Sequence, residues 1–300
     1  MATFPEPINV IFICIIFARM NVQKKLAIGF VRTKLILLSV ISKRKAGEEA
    51  FRLFSTPTIK SSGRDADIFK NAEKLEFISG KYLVKGFRCN HTQQKKVLLL
   101  HGFSSNCHKF DKYAMALIER GYEVLAFDAP AHGNSSGESV NAVDYSEMIK
   151  KVTSLFGPID SYIAHSFGGL ALCLALEEIP HNKNTKVVLI APATETTSAI
   201  NGAFRMLGIT NKSIRKSMDD VILSLSGKET AWFSIRRAIK NITASVLWVH
   251  DEDDMVTPLA DALLVKNDNQ PNIQFIITKG LGHQRIYRDD VVKNYIINFL

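Results

Sequence analysis

Near the middle of the chain an apolar run ends at a serine set between small residues. Tyr162, Ile163 and Ala164 lead into His165-Ser166-Phe167-Gly168-Gly169, and a second apolar run continues to Leu176. This pattern predicts a buried strand, a sharp turn and then a helix. Such a reversal holds its middle residue in a strained backbone conformation and pushes that side chain into the open. The residues two before and two after must be small, because the strand and helix backbones nearly touch there. Gly168 meets the demand, and Ala164 exceeds it by one methyl group.

The spacing is that of the nucleophile elbow G-x-S-x-G, with Ala164 at the first glycine. A serine so placed exposes its Oγ, and the helix N-terminus behind it offers free N–H groups to an oxyanion. The plainer reading is a Ser-Gly turn between two core elements.

The surroundings support the elbow. Lys95–His101, Tyr122–Phe127, Lys186–Ile190, Ser245–His250 and Ile273–Thr278 read as short strands. Phe110–Arg120, Asp144–Phe156 and Asp289–Phe299 read as helices, and Leu75–Ser79 with Tyr82–Cys89 as a leading hairpin. The alternation predicts an α/β domain over 73–300, a mostly parallel sheet with helices on both faces. It breaks over about 193–240, a polar stretch of helical period that reads as an inserted lid.

A lone serine is weakly nucleophilic. It needs a base in reach, and the base needs an acid to fix its tautomer. Functional loops of a parallel sheet gather at the carboxyl ends of its strands. Asp251-Glu252-Asp253-Asp254 follows one late strand, and His283, beside Gly282, follows the last. A solvated turn and a surface histidine are the plainer readings of each. His101, His132, His165 and His250 sit at strand ends and read as groups that hold loops by hydrogen bonding. None has the i, i+4 helical spacing of a zinc motif, so neither metal nor cofactor is expected.

In order, these landmarks make residues 75–300 resemble an α/β-hydrolase-fold serine hydrolase of the esterase or lipase kind. They are His101-Gly102-Phe103, the run Asp128 to Ser135, the Ser166 elbow, His250 to Pro258, and Gly282-His283. The resemblance implies Ser166 as nucleophile, His283 as base and Asp254 as the acid, with Asp251 standing where the family usually has glycine. It also implies an oxyanion site made by the backbone N–H groups of Phe103 and Phe167. The expected substrate is a small acyl compound, a carboxylic ester or thioester. The alternative from another class is a non-catalytic protein of this fold that binds a ligand or partner.

The first 72 residues read as an arm and linker. Residues 8–18 are continuously apolar but too short to span a bilayer, which needs ~20. The readings are a weak signal or anchor, a packed N-terminal strand, or a start at Met20 that leaves residues 1–19 non-native, the last being favoured. Residues 22–54 read as one or two helices, with Leu26, Phe30, Leu37 and Ile41 on a rough face. They are expected to pack on the domain, with contact to an anionic membrane surface as the second reading. Residues 55–72 read as a linker or surface loop.

The net charge of +9 is concentrated in this arm, where residues 1–60 hold ten Lys/Arg against three Asp/Glu. The body is near neutral, so no nucleic-acid partner is expected. Four scattered cysteines without a C-x-x-C pair fit a reducing, cytoplasmic setting.

Overall fold

The computed structural model describes residues 22–58 and 67–300. The apolar segment 8–18, Met20 and half of the expected linker lie outside the described residues.

The chain opens with helices α1 (Val22–Ile41), α2 (Lys43–Ser55) and α3 (Asp67–Lys70). The strands are β1 (Glu73–Ser79), β2 (Tyr82–Cys89), β3 (Lys95–Leu100), β4 (Tyr122–Phe127), β5 (Ser161–His165), β6 (Lys186–Ile190), β7 (Ser245–Asp251) and β8 (Ile273–Thr278). Between and after them run α4 (Asp111–Glu119), α5 (Ala142–Phe156), α6 (Phe167–Leu176), α7 (Thr196–Leu207), α8 (Lys212–Ser226), α9 (Ile235–Ala238), α10 (Leu259–Asn267), α11 (Gly282–Arg285) and α12 (Asp290–Phe299).

All eight strands form one sheet in the order β1-β2-β4-β3-β5-β6-β7-β8. The β1–β2 hairpin and its junction with β4 are antiparallel; every other pair is parallel. The sheet is covered on both faces, so its inner strands are apolar at nearly every position. Leu98 and Leu100 point into one core cluster with α5 and α6, while Val97 and Leu99 point into the other with α4 and α12. Successive β3 connections leave in opposite directions across the sheet, to β4 on one side and past it to β5 on the other. That reversal makes the carboxyl ends of β3 and β5 a topological switch point.

The 193–240 stretch is helical, as expected of a lid: α7, α8, a 3-10 turn at Thr230–Trp232 and α9. Its aromatic residues serve its own packing. Phe204 and Phe233 are buried in the core, and the Arg237 guanidinium lies 3.9 Å from the centroid of the Trp232 ring.

Residues 22–54 form two helices, as read from the sequence, and they pack on the rest of the chain. Helices α1 and α2 form a hairpin, tied by Lys34 to Glu49 at 2.7 Å. Gly47 of α2 seats directly on the backbone of Ser217 in α8, so the hairpin packs on the lid. Ala46 and Ala50 are buried there. Farther on, α3 falls inside the expected linker, yet Phe69 is fully buried, 5.1 Å from Phe87 and 5.3 Å from His108 by ring centroid. Linker-like composition hid an anchor residue. Among the described residues no helix is long and apolar enough to cross a membrane.

The Gly47 seat makes a stability prediction. A Cβ at Gly47 would lie 2.5 Å from the carbonyl carbon and oxygen of Ser217, and backbone cannot yield as a side chain can. Gly47→Ala should lower the urea-unfolding free energy by about 1–3 kcal/mol. Gly29→Ala on α1, where nothing lies within 4 Å of the added methyl, should be neutral or gain up to about 1 kcal/mol. Equal stability of the two variants would sink the close-packed seat.

Candidate active site

Ser166 sits at the end of β5 with φ 53° and ψ −119°, a strained left-handed conformation for a residue with a side chain. The strand–helix approach that forces it is visible at Gly168, where a Cβ would lie 2.7 Å from the His101 carbonyl oxygen. Gly102 is equally confined, 2.9 Å from the Ser166 Cβ by the same measure. Ala164 is fully buried within the core cluster, so its extra methyl is accommodated by packing. Three backbone hydrogen bonds fix the turn: Ser166 N–H donates to the Ile190 carbonyl at 3.0 Å, and the Ser166 carbonyl accepts from Gly169 at 2.9 Å and Ala193 at 3.0 Å.

His283 reaches Ser166 from α11. Its Nε2 lies 3.0 Å from Ser166 Oγ, and its Nδ1 lies 2.8 Å from Asp254 Oδ2. An Nδ1–H donating to the carboxylate leaves Nε2 free to accept the serine proton. Asp254 Oδ1 accepts the backbone N–H groups of Val256 at 2.8 Å and Thr257 at 2.9 Å. Its Oδ2 also accepts the Thr257 hydroxyl at 2.7 Å. Burial pushes the Asp254 carboxyl up, but the His283 and Thr257 hydrogen bonds outweigh it and hold the group below the ordinary carboxylate range.

The geometry sorts the acidic run. Only Asp254 of the four bonds the imidazole. Asp251, the departure from glycine, is completely buried and binds the loop that carries His283. Its Oδ1 accepts Gly282 N–H at 2.8 Å, and its Oδ2 accepts Leu281 N–H at 3.1 Å and the Thr278 hydroxyl at 2.6 Å. Asp253 accepts Gly280 N–H at 3.0 Å, and Glu252 pairs with Lys279 at 3.1 Å. Asp251 carries no sequence signal that marks it as an anchor, and for Thr257 the signal is a hydroxyl one residue before Pro258.

The N–H groups of Phe103 and Phe167 flank Ser166, one on the loop after β3 and one at the first position of α6. Neither has a hydrogen-bond acceptor among the described residues. The two rings meet edge to face at 5.7 Å. Behind them, His132 Nε2 accepts the Ser104 N–H at 2.9 Å while its Nδ1–H donates to the Pro130 carbonyl at 2.9 Å. His101 does the same between Ala129 N–H (2.9 Å) and the Gly102 carbonyl (2.8 Å). Ser104, at φ 53°, is also held from outside, its Oγ accepting Thr58 N–H at 3.0 Å. Thr58 lies 46 positions away and carried no sequence signal.

The four strand-end histidines are therefore loop fasteners. His165 Nε2–H donates to the His283 carbonyl at 3.1 Å, and His250 bonds the Thr257 carbonyl at 2.8 Å. Burial pushes His101 down to about 4 and His132 and His165 to about 3. These histidines are neutral when folded and protonate near pH 6.5 once unfolded. Their contribution is full above about pH 6.5 and declines as pH falls toward 4, because the unfolded chain binds the extra protons. The urea midpoint should therefore drop steadily between about pH 6.5 and 5, above the carboxylate range, and His132→Gln should flatten that slope. A midpoint independent of pH over this interval would contradict the neutral, buried assignment.

Known proteins share this architecture. A family model described as serine aminopeptidase, S33, matches residues 91–221, a span that includes Ser166 and stops short of Asp254 and His283. A Mycoplasma pneumoniae protein named as an esterase/lipase is 21% identical over 246 residues, covering 70% of this chain and 90% of that protein. Polyneuridine aldehyde esterase of Rauvolfia serpentina is 29% identical over 120 residues, 38% of this chain and 46% of the esterase. Among solved structures, an esterase of Pyrococcus furiosus superposes with a TM-score of 0.62 at 18% identity, over 82% of this chain and 97% of that one. With its eight-stranded sheet and its serine-bearing elbow after β5, the chain has the α/β-hydrolase fold.

Proposed function

We propose that the protein is a serine hydrolase that cleaves a carboxylic ester or thioester through an acyl-enzyme on Ser166. The observation that carries this reading is the unbroken line from Ser166 Oγ through the His283 ring to Asp254, at 3.0 and 2.8 Å. Oγ attacks the acyl carbonyl as its proton passes to His283 Nε2. Asp254 stabilises the imidazolium and keeps the ring in place. The N–H groups of Phe103 and Phe167 hold the oxyanion, each such donor being worth about 3 kcal/mol in the transition state. His283 then gives the proton to the departing alcohol or thiol. Water, deprotonated by the same nitrogen, attacks the acyl-enzyme and releases the acid.

The same machinery would serve a peptide bond, as the description of the matching family model suggests. The ester reading is preferred because the full-length relatives are named as esterases. Phe103 and Phe167 beside the serine supply an apolar approach suited to an acyl chain.

A fluorophosphonate probe tests the serine directly. The wild type should label, and Ser166→Ala should not. A folded wild type that resists the probe and leaves p-nitrophenyl esters intact would overturn the proposal and favour the binding-protein alternative. Asp254→Asn should keep the fold and lower kcat by about 10³–10⁴-fold, by placing an amide N–H₂ where the carboxylate accepts from His283. A loss below about ten-fold would show that His283 needs no acid partner here.

A further inference from the structure

Helix α1 packs through one side only. Leu35 is buried, with Val31 and Leu38 half-buried beside it. The opposite side carries Leu26, Phe30, Leu37, Val40 and Ile41, exposed at 68%, 70%, 59%, 82% and 78%. At about 3.6 residues per turn these five form a single stripe. A helix with two apolar faces calls for burial of both. Here half of that demand is met by the protein, and a contiguous patch of this size marks an interaction surface.

The stripe has a cationic frame. By helical position Lys25 and Arg32 border one edge and Lys34 the other, while Lys43, Arg44 and Lys45 follow its C-terminal end. Residues 22–45 hold seven Lys/Arg and no Asp or Glu. Lys34 and Arg44 pair with Glu49 and Glu48. Lys25, Lys43 and Lys45 are exposed and have no carboxylate partner among the described residues.

We propose that α1 is a membrane-surface helix. Its outer face beds into the headgroup–acyl boundary of an anionic bilayer, and the surrounding lysines and arginines engage the lipid headgroups. The charge pattern selects this occupant. A symmetric contact with a second copy would set two acid-free cationic segments against each other, whereas an anionic lipid surface complements both the stripe and its frame. The helix lies in the membrane plane and does not cross it. Because the α1–α2 hairpin is seated on α8, docking brings the lid side of the protein toward lipid.

Sedimentation of the full chain with vesicles of phosphatidylcholine, with and without phosphatidylserine, tests this independently of any enzymatic activity. The wild type should bind only the phosphatidylserine vesicles, and less at raised salt. Phe30→Glu/Leu37→Glu should lose at least about ten-fold in binding. Lys43→Glu/Lys45→Glu, on the next helix, should lose about ten-fold or more. An unchanged urea midpoint separates lost binding from lost folding. Absence of wild-type binding overturns the proposal. So does undiminished binding of both variants, which would assign the attachment elsewhere in the chain. A wild-type dimer by light scattering that ignores vesicles and dissociates in Phe30→Glu/Leu37→Glu would assign the stripe to a second copy instead.

Discussion

The near-contact of backbones behind Ser166 governs the structure. The helix α6 starts so close to the end of β3 that Gly168 has no room for a methyl group beside the His101 carbonyl. A non-glycine residue at φ 53° costs on the order of 1–3 kcal/mol, and it persists only where its surroundings over-determine it. Here they do: β6 and the segment after it hold both the N–H and the carbonyl of Ser166. One constraint thereby fixes the Oγ, the neighbouring Phe167 N–H and the approach of the Phe103 loop. Every other catalytic candidate has to be delivered to that point.

Delivery relies on a division between charged and neutral groups. Buried carboxylates stand where donors converge. Asp254 receives two backbone N–H groups, a hydroxyl and the imidazole, and Asp251 receives three backbone N–H groups and a hydroxyl. His101 and His132 stand where a loop N–H needs an acceptor, a task only the neutral ring can perform. His165 instead donates to the His283 carbonyl, and its ring centroid lies 4.8 Å from that of His283. A cation there would oppose the imidazolium that the proposed mechanism places on the neighbouring ring.

The legible parts of the fold were those with strong local periodicity. Fully buried parallel strands read as apolar runs, and the elbow read from two small residues around a serine. From the residues alone the acid is legible only to within four, because any carboxylate in a row of Asp251 to Asp254 can be placed near a histidine until the turn is known; the family resemblance is what selects Asp254. What failed had no local signature. Phe69 sits in a stretch whose Ser, Gly and charge resemble a linker, and its burial comes from Phe87 and His108, distant in sequence. The rough apolar face of α1 was visible, but which side packs was not. The answer came from Leu35, Gly47 and Ser217, whose contacts are tertiary.

The hairpin of α1 and α2 ties together parts of the molecule that the sheet alone leaves independent. At Gly47 it grips the lid helix α8, and at Thr58 it grips Ser104 in the loop that carries the Phe103 N–H. A third tie joins the end of α2 to the segment before α5, where Val140 N–H donates to the Ser55 carbonyl at 2.9 Å and both residues are buried. The Gly47 seat is buried close packing, whose disruption opens a void and forfeits many contacts at once. The Thr58–Ser104 link is a pair of exposed hydrogen bonds, each worth about 0.5–1.5 kcal/mol net and readily replaced by water. Of the three ties, the Thr58–Ser104 link is the one most readily given up to water. Without it the loop beside the proposed oxyanion site would keep the His132 ring on the Ser104 N–H at 2.9 Å and the Asp128 carboxylate on the Cys107 N–H at 2.9 Å, both from the sheet side.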